Sequence, residues 1–245
     1  MRALAFADRN AKEVIRDPLN VAFGIGFPLV VLLLLSAIQA NIPIDLFKID
    51  RLAPGVAVFG LSFFSLFGGL LIAKDRVTSL LMRLFASPLT AADYIAGYAL
   101  PLLPIAMLQV LVCFGASLVL GLPLSTNLFL AMVVLIPTAL LYVVIGLLAG
   151  TVFNDRQVGA ICGALLTNLS AWLSGTWFDL ELVGGWFKTI AYGLPFAHAV
   201  DAARAAIAGT HEAIWPHLAW VGGYAAALAI IAALVFRSRM NSDNA

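Results

Sequence analysis

Residues 71–95, "LIAKDRVTSLLMRLFASPLTAADYI", set a charged turn between two apolar segments. Lys74, Asp75, Arg76 and Arg83 carry the charge, and Pro88 follows them. Val77, Leu80, Leu81, Leu84 and Phe85 recur at the i, i+3, i+4, i+7, i+8 spacing of one helix face. Lys74, Arg76, Thr78, Ser79 and Arg83 occupy the remainder. Proline stops a helix because it lacks a backbone donor and clashes with the preceding turn. Thr90-x-x-Asp93 then supplies a start signal for the next helix. The segment therefore reads as a short amphipathic helix joining two long apolar ones.

The flanks show what those long helices are for. The chain has 245 residues, 62% hydrophobic and 11% charged, with a mean hydropathy of +1.02. A soluble domain carries about 25% charged residues. Six apolar segments stand out, over residues 21–40, 52–73, 94–120, 128–151, 158–174 and 215–236. Each approaches or exceeds the roughly 20 residues that cross a bilayer as a helix. They are continuous rather than alternating, which selects helices over a barrel. The expected fold is an all-α integral membrane protein with six transmembrane helices. It forms a single domain over 1–245: an amphipathic entry helix in 1–20, a loop helix in 74–92, and a distinct segment at 175–214.

Basic residues orient the bundle. With the N-terminus in the cytoplasm, Arg2, Arg9, Lys12, Arg16, Lys74, Arg76, Arg83, Arg156, Arg237 and Arg239 fall inside. Lys48, Arg51, Lys188 and Arg204 fall outside. Ten against four is the positive-inside asymmetry, and it predicts that both termini are cytoplasmic. The first seventeen residues mix basic with acidic side chains and precede an apolar run too long for a secretory leader, so no cleaved signal is expected. A net charge of +1 on so few charges gives no sign of nucleic-acid binding.

The segment 175–214, between the fifth and sixth spans, is too apolar for a solvated loop, yet Gly184-Gly185 and Gly193 with Pro195 break it into pieces too short to cross. Two short helices dipping into the outer leaflet fit this pattern, since irregular backbone at membrane depth survives where protein or a cavity covers it. Trp177, Trp186 and Tyr192 also suit interfacial anchoring, and the two readings are compatible. Within the fifth span, Thr167, Asn168, Ser170 and Ser174 either hydrogen-bond across helices or line a substrate path. Asn168 has the most hydrogen-bonding capacity to satisfy. Phe59, Phe63 and Phe67, with Ser62, form an i, i+4, i+8 stripe that serves packing or an apolar cargo. Pro101 and Pro104 in the third span, and Pro137 in the fourth, are expected to kink their helices.

Several chemistries find no support. Cys113 and Cys162 read as buried packing residues, and His198, His211 and His217 lack metal-ligand spacing, so no metal and no catalytic residue is expected. No charge lies near the middle of a span, where ion-coupled carriers usually keep one. Ser174-Gly175 has a faint likeness to the rhomboid proteases, but Trp172-Leu173 precedes it where that nucleophile motif has Gly-x. A phosphate-binding loop needs Gly-x-x-x-x-Gly-Lys-[Ser/Thr], and none of Lys12, Lys48, Lys74 or Lys188 follows a glycine.

Four places in the chain resemble one family. Leu84-Phe85-Ala86-Ser87-Pro88-Leu89-Thr90 matches a Leu-x-x-[Ser/Thr]-Pro-[Leu/Met]-[Ser/Thr] loop element. Residues 9–28, "RNAKEVIRDPLNVAFGIGFP", match a basic entry helix with an Arg-Asp-Pro break. Leu52-Ala53-Pro54-Gly55 matches the start of a second span, and residues 195–204, "PFAHAVDAAR", match a Pro-[Leu/Phe]…Arg element before the sixth. These resemble the ABC-2 type permeases, the membrane subunits of ABC exporters. The resemblance departs at one point, where Lys74-Asp75-Arg76-Val77-Thr78-Ser79 replaces the usual Glu-x-Gly-x-Leu-Glu.

The resemblance implies a permease subunit without enzyme activity, in the inner or plasma membrane of a prokaryote. It implies a separate ATP-binding subunit carrying ATP and Mg²⁺, and a second permease copy as homodimer or close paralogue, with membrane lipid around both and no cofactor on this chain. Arg76, Val77, Leu80, Leu81, Arg83, Leu84, Phe85 and Pro88 would couple to the ATPase. Phe59, Ser62, Phe63, Phe67, Thr167, Asn168, Ser170 and Ser174 would line the path. Trp177, Trp186, Pro195, His198 and Arg204 would belong to the outer re-entrant segment. The expected cargo is a hydrophobic or amphipathic small molecule, drug-like (as in multidrug export) or lipid-like. The alternatives are a lipid-linked polysaccharide exporter, an ion-coupled secondary transporter and, remotely, an intramembrane protease.

Overall fold

Asp17 divides the first two helices. A computed structural model describes residues 2–42, 47–77 and 90–242. In it α1 (Arg2–Ile15) ends just before Asp17, whose carboxylate accepts from the Asn20 amide N–H at 3.3 Å and from Asn20 Nδ2 at 2.7 Å. Pro18 opens α2 (Pro18–Gln39), a position where its missing N–H costs nothing. After α3 (Ile49–Val77), Thr90 and Asp93 form the expected capping box: the Thr90 hydroxyl accepts from Asp93 N–H at 3.2 Å, and the Asp93 carboxylate accepts from Thr90 N–H at 3.0 Å. This box starts α4 (Ala91–Val119), which runs through Pro101 and Pro104 without a break.

The fourth crossing has two parts, α5 (Thr126–Val134) and α6 (Ile136–Val152). They separate at Leu135, two residues before Pro137, which cannot donate to the helical ladder. The fifth crossing begins as α7 (Asp155–Val158), continues as a π-helix over Gly159–Leu166, and ends as α8 (Thr167–Leu173). Thr167 Oγ1 donates to Cys162 O at 2.9 Å, matching the wider i→i+5 winding. Beyond it lie α9 (Leu180–Val183), α10 (Gly185–Gly193), α11 (Pro195–Ala208) and the last helix, α12 (His211–Ser242).

The architecture is all-α, with no strand among the described residues. The sequence pattern predicts six spans, whereas among the described residues five helical stretches, the two-part fourth crossing taken as one, are long and apolar enough to cross a membrane. The difference lies in the fifth crossing, where the π turns interrupt what would otherwise be one α-helix. Between the fifth and last crossings stand three short helices instead of two. The breaks fall where the glycines and proline put them: Gly184 and Gly185 both have positive φ, and an extended Leu194 precedes Pro195.

At the centre is α3. In its most apolar stretch 78% of residues are buried, against 17% in α2 and in α12. It packs on α2, α4, α6, α11 and the π segment. Ser65 and Gly69 on α3 face Gly146 and Gly150 on α6, a small-xxx-small pairing that brings the two backbones together. A Cβ at Gly146 would stand 2.8 Å from Ser65 Cα, so only glycine fits. Tyr94 near the start of α4 stacks on Phe236 near the end of α12, at 3.6 Å between ring centroids. The N-terminal helix, the end of α3 and the end of α12 thus share one face, termed the basic face here.

Candidate coupling and transport surfaces

Three consecutive charged residues end α3 and reach three neighbours. Successive helical residues are turned by about 100°, so Lys74, Asp75 and Arg76 cannot share one partner. Lys74 Nζ lies 3.7 Å from the Asp17 carboxylate at the α1–α2 elbow. Asp75 is buried and receives a two-pronged contact from Arg9 on α1, at 2.6 and 2.7 Å, and the Tyr98 hydroxyl of α4 at 2.7 Å. Arg76 donates to Gly150 O at 3.2 Å and Phe153 O at 3.1 Å, where α6 ends. Those carbonyls have no partner within their own helix, and a cation there also suits the helix dipole.

Burial of a lone carboxylate is costly, and the Asp75 arrangement offsets that cost with a guanidinium and a hydroxyl. The contact holds the Arg9 guanidinium above its ordinary protonation range, chiefly through the hydrogen bonds to Asp75. Around it Asn10 is fully buried, with Nδ2 donating to Gly97 O at 3.0 Å, and Phe6 meets Tyr98 edge-on at 4.9 Å. The entry helix is therefore bolted to α3 and α4.

A second assembly runs along α2 and α3. Phe23 and Phe27 stack at 5.9 Å, and Phe27 meets Phe63 at 5.7 Å and Phe59 at 6.1 Å. Phe59 reaches Trp177 at 5.3 Å, so aromatic rings form a ladder from α2 to the segment after α8. Phe23 and Phe27 lie open on the bundle surface, whereas Phe59 is buried. On α8 and the π segment, Leu165, Asn168, Leu169 and Trp172 form another open stripe. Asn168 is its only amide, with Nδ2 donating to Ala164 O at 2.8 Å while its oxygen has no hydrogen-bond partner among the described residues.

On the opposite face, Arg204 joins distant segments. Its Nε donates to Arg51 O at 3.2 Å and its Nη2 to Gly175 O at 2.8 Å. Gly55 makes room for Thr176, since a Cβ there would fall 2.8 Å from Thr176 Cγ2. The Leu52–Gly55 motif and the Arg204 motif thus meet around residues 175–176. A cavity of ≈ 860 Å³ opens here, with Arg51, Asp179, Asp201 and Arg204 among its lining. Nearby, the Nδ1 atoms of His198 and His217 are 2.8 Å apart, and His198 Nε2 lies 3.0 Å from Tyr192 O. The carbonyl can only accept, so Nε2 carries a proton and the neutral pair needs His217 as donor.

The residues expected from sequence distribute unevenly. Phe59 and Phe63 join the ladder, but Phe67 turns away to pack on Phe64 and Gly24. Asn168 is open, while Thr167, Ser170 and Ser174 are buried within the chain. Ser170 bonds the Tyr142 hydroxyl, Ser174 lies 2.6 Å from the Thr176 hydroxyl, and Ser62 donates to Phe59 O at 2.6 Å. Trp186 is open and Trp177 half-buried. Pro195 opens α11, with His198 and Arg204 on it. Leu80, Leu81, Arg83, Leu84, Phe85 and Pro88 lie outside the described residues, which resume at Thr90, and Val77 ends α3. Arg9, Asp75 and Tyr98 were absent from the sequence-derived set, as were Gly146 and Gly150. The glycine pair carries a readable Gly-x-x-x-Gly signal, whereas the Arg9–Asp75–Tyr98 cluster, the latch of the entry helix, shows none.

A family model described as ABC-2 type transporter matches residues 2–208. A putative transport permease ycf38 of Porphyra purpurea is 30% identical over 210 residues, covering 82% of this chain and 72% of that protein. The putative transport permease ycf38 of Pyropia yezoensis is 28% identical over 211 residues, with the same two coverages. The chain belongs to the ABC-2 type transporter family.

Proposed function

From this membership we propose that the chain is the membrane subunit of an ATP-driven exporter, working as a pair of permease copies with separate ATP-binding subunits. Permeases of the family work with such a subunit, and this chain has no phosphate-binding loop of its own. The observation that carries the reading is the fan of Lys74, Asp75 and Arg76. It stands immediately before residues 78–89, the proposed docking segment, and contacts α1, α4 and α6 together. ATP and Mg²⁺ on the partner drive closure of the two ATPase subunits. A push on residues 78–89 then enters α3, and the fan passes it to its neighbours as one body.

The aromatic ladder and the Asn168 stripe favour a hydrophobic or amphipathic cargo carrying a hydrogen-bond donor. Phe23 and Phe27 at the outer end of the ladder and the Asn168 stripe are open on the single chain, as surfaces meeting a second copy across a two-fold axis would be. The ten-to-four distribution of basic residues supports a cytoplasmic basic face, and outward transport across a prokaryotic inner or plasma membrane rests on the family resemblance.

Co-purification tests the assembly. The permease should bring down an ATP-binding subunit, and Leu84→Ala with Phe85→Ala should weaken that association and uncouple hydrolysis from transport while insertion persists. Loss of one large interface anchor typically costs more than about 1 kcal/mol. Normal transport by the double variant would remove residues 78–89 as the docking segment. Labelling of Ser79→Cys from outside sealed cells would reverse the orientation.

A further inference from the structure

A cavity of ≈ 220 Å³ opens beside the α1–α2 elbow, apart from the ladder and the Asn168 stripe. Its mouth is polar, with Glu13, Arg16, Asp17, Asn20 and Lys74. Its depth is apolar, with Phe64, Phe67, Leu102 and Ile105. Phe64 and Lys74 are ten residues apart on one helix, which at 1.5 Å per residue is about 15 Å. That is half the roughly 30 Å hydrocarbon thickness, so the crevice runs from headgroup level to the bilayer centre. The volume is below the ~300–1,000 Å³ of sites that engulf a drug-sized ligand, so its occupant leaves part of itself outside.

Charge at the mouth narrows the chemistry. Lys74 is engaged by Asp17 at 3.7 Å, and Asp17 also holds Asn20. Glu13 lies 3.5 Å from Arg9. The exposed Arg16 guanidinium has no hydrogen-bond or ion-pair partner among the described residues, and it sits at the rim above an apolar slot. Guanidinium is the side chain best matched to a phosphate's geometry.

We infer that this crevice is a binding site for a phosphodiester lipid of the leaflet on the basic face. The phosphate sits on Arg16 beside Lys74, one acyl chain enters the slot toward Phe64 and Ile105, and the second chain stays in the bilayer. Glu13 and Asp17 leave the site compatible with a zwitterionic headgroup. The lipid would wedge the elbow between α1 and α2, and so set the angle at which the entry helix meets α3. This does not depend on what the transporter carries.

The test uses the full chain in nanodiscs of phosphatidylethanolamine and phosphatidylglycerol, doped with phosphatidylethanolamine bearing a mid-chain diazirine. After photolysis, labelled peptides should concentrate on residues 64–71 and 102–105 over the bilayer-facing Leu108, Leu111 and Val133. The exposed Arg16 side chain has no polar partner among the described residues, so Arg16→Gln should retain the fold yet lower labelling in the slot by about fivefold. A diacylglycerol with the same photoreactive chain should label the slot no more than the open surface. Even labelling of slot and surface by the phospholipid would make the occupant ordinary surrounding lipid and overturn the site. Full slot labelling in Arg16→Gln, or by diacylglycerol, would overturn recognition of the phosphate.

Discussion

Replacing Asp75 with asparagine keeps the side-chain shape while removing the charge that three donors share. Arg9 would then present two N–H groups, at 2.6 and 2.7 Å in the native protein, to an amide with a single acceptor. The Tyr98 hydroxyl, now at 2.7 Å, competes for that same oxygen. Breaking a buried ion pair costs ~3–5 kcal/mol when both partners are dry. Here the carboxylate is buried but the Arg9 side chain is 36% exposed, so water and Glu13 recover part of the loss. The expected destabilisation is about 2 kcal/mol. For a chain of this size that corresponds to a fall of roughly 4–8 °C in unfolding temperature, read by thermal unfolding in detergent. Arg9→Gln should destabilise similarly, and the double variant should reveal a coupling of about 1 kcal/mol instead of additive losses. An Asp75→Asn protein unfolding at the wild-type temperature, or additivity in the cycle, would show that the latch holds nothing together.

Three further outcomes follow from other parts of the structure. Gly146→Ala forces a methyl against the Ser65 backbone and should cost about 1–3 kcal/mol, whereas Gly26→Ala, with open space around it, should stabilise by about 0.5–1 kcal/mol through helix propensity; equal unfolding temperatures for the two would contradict the close packing of α3 and α6. Burial holds His198 below its ordinary pKa of 6.5, so below that pH the unfolded chain takes up more protons than the folded one. Its contribution to stability is complete above 6.5 and is lost as pH falls toward the lower folded value; His198→Phe should flatten that slope in unfolding measured across mildly acidic and neutral buffers. Asn168→Leu should change cargo-stimulated ATPase activity with assembly intact, while Ser170→Ala should cost stability of about 1 kcal/mol without altering cargo preference; the reverse pattern would move the path away from the open stripe.

Elements announced by local chemistry were legible. Asp17-Pro18, Thr90-x-x-Asp93, Pro137, Gly184-Gly185 and Pro195 each act on backbone within a few residues, and each marks a boundary in the structure. The apolar runs fixed helices because lipid leaves the backbone no other way to satisfy itself. What stayed hidden depends on partners far along the chain. Arg9 and Asp75 are 66 positions apart, and nothing near either names the other. Ser170 looks available on a helical wheel, yet Tyr142 covers it from another helix. Thr167 and Ser170 lie three residues apart on the α-helix that follows the π segment and face inward together, whereas Asn168, turned about 100° from Thr167, is open. Arg76 was read from its place in a loop as a docking contact; in the structure its guanidinium closes the end of α6, and that geometry was invisible without the fold.

The fan at the end of α3 has a bearing on how relatives of this protein can be recombined. A splice between two permeases at residues 78–89 falls in an obvious seam, between one long helix and the next. Yet the electrostatic bookkeeping crosses that seam: Asp75 lies before it and Tyr98 after it, while Arg9 and Asp17 come from the first helices and Gly150 from the fourth crossing. A hybrid that changes α3 alone inherits a carboxylate without its guanidinium. The smallest exchangeable cassette is therefore discontinuous, consisting of the entry helix with its elbow, the last turn of α3, the first turns of α4 and the close of α6.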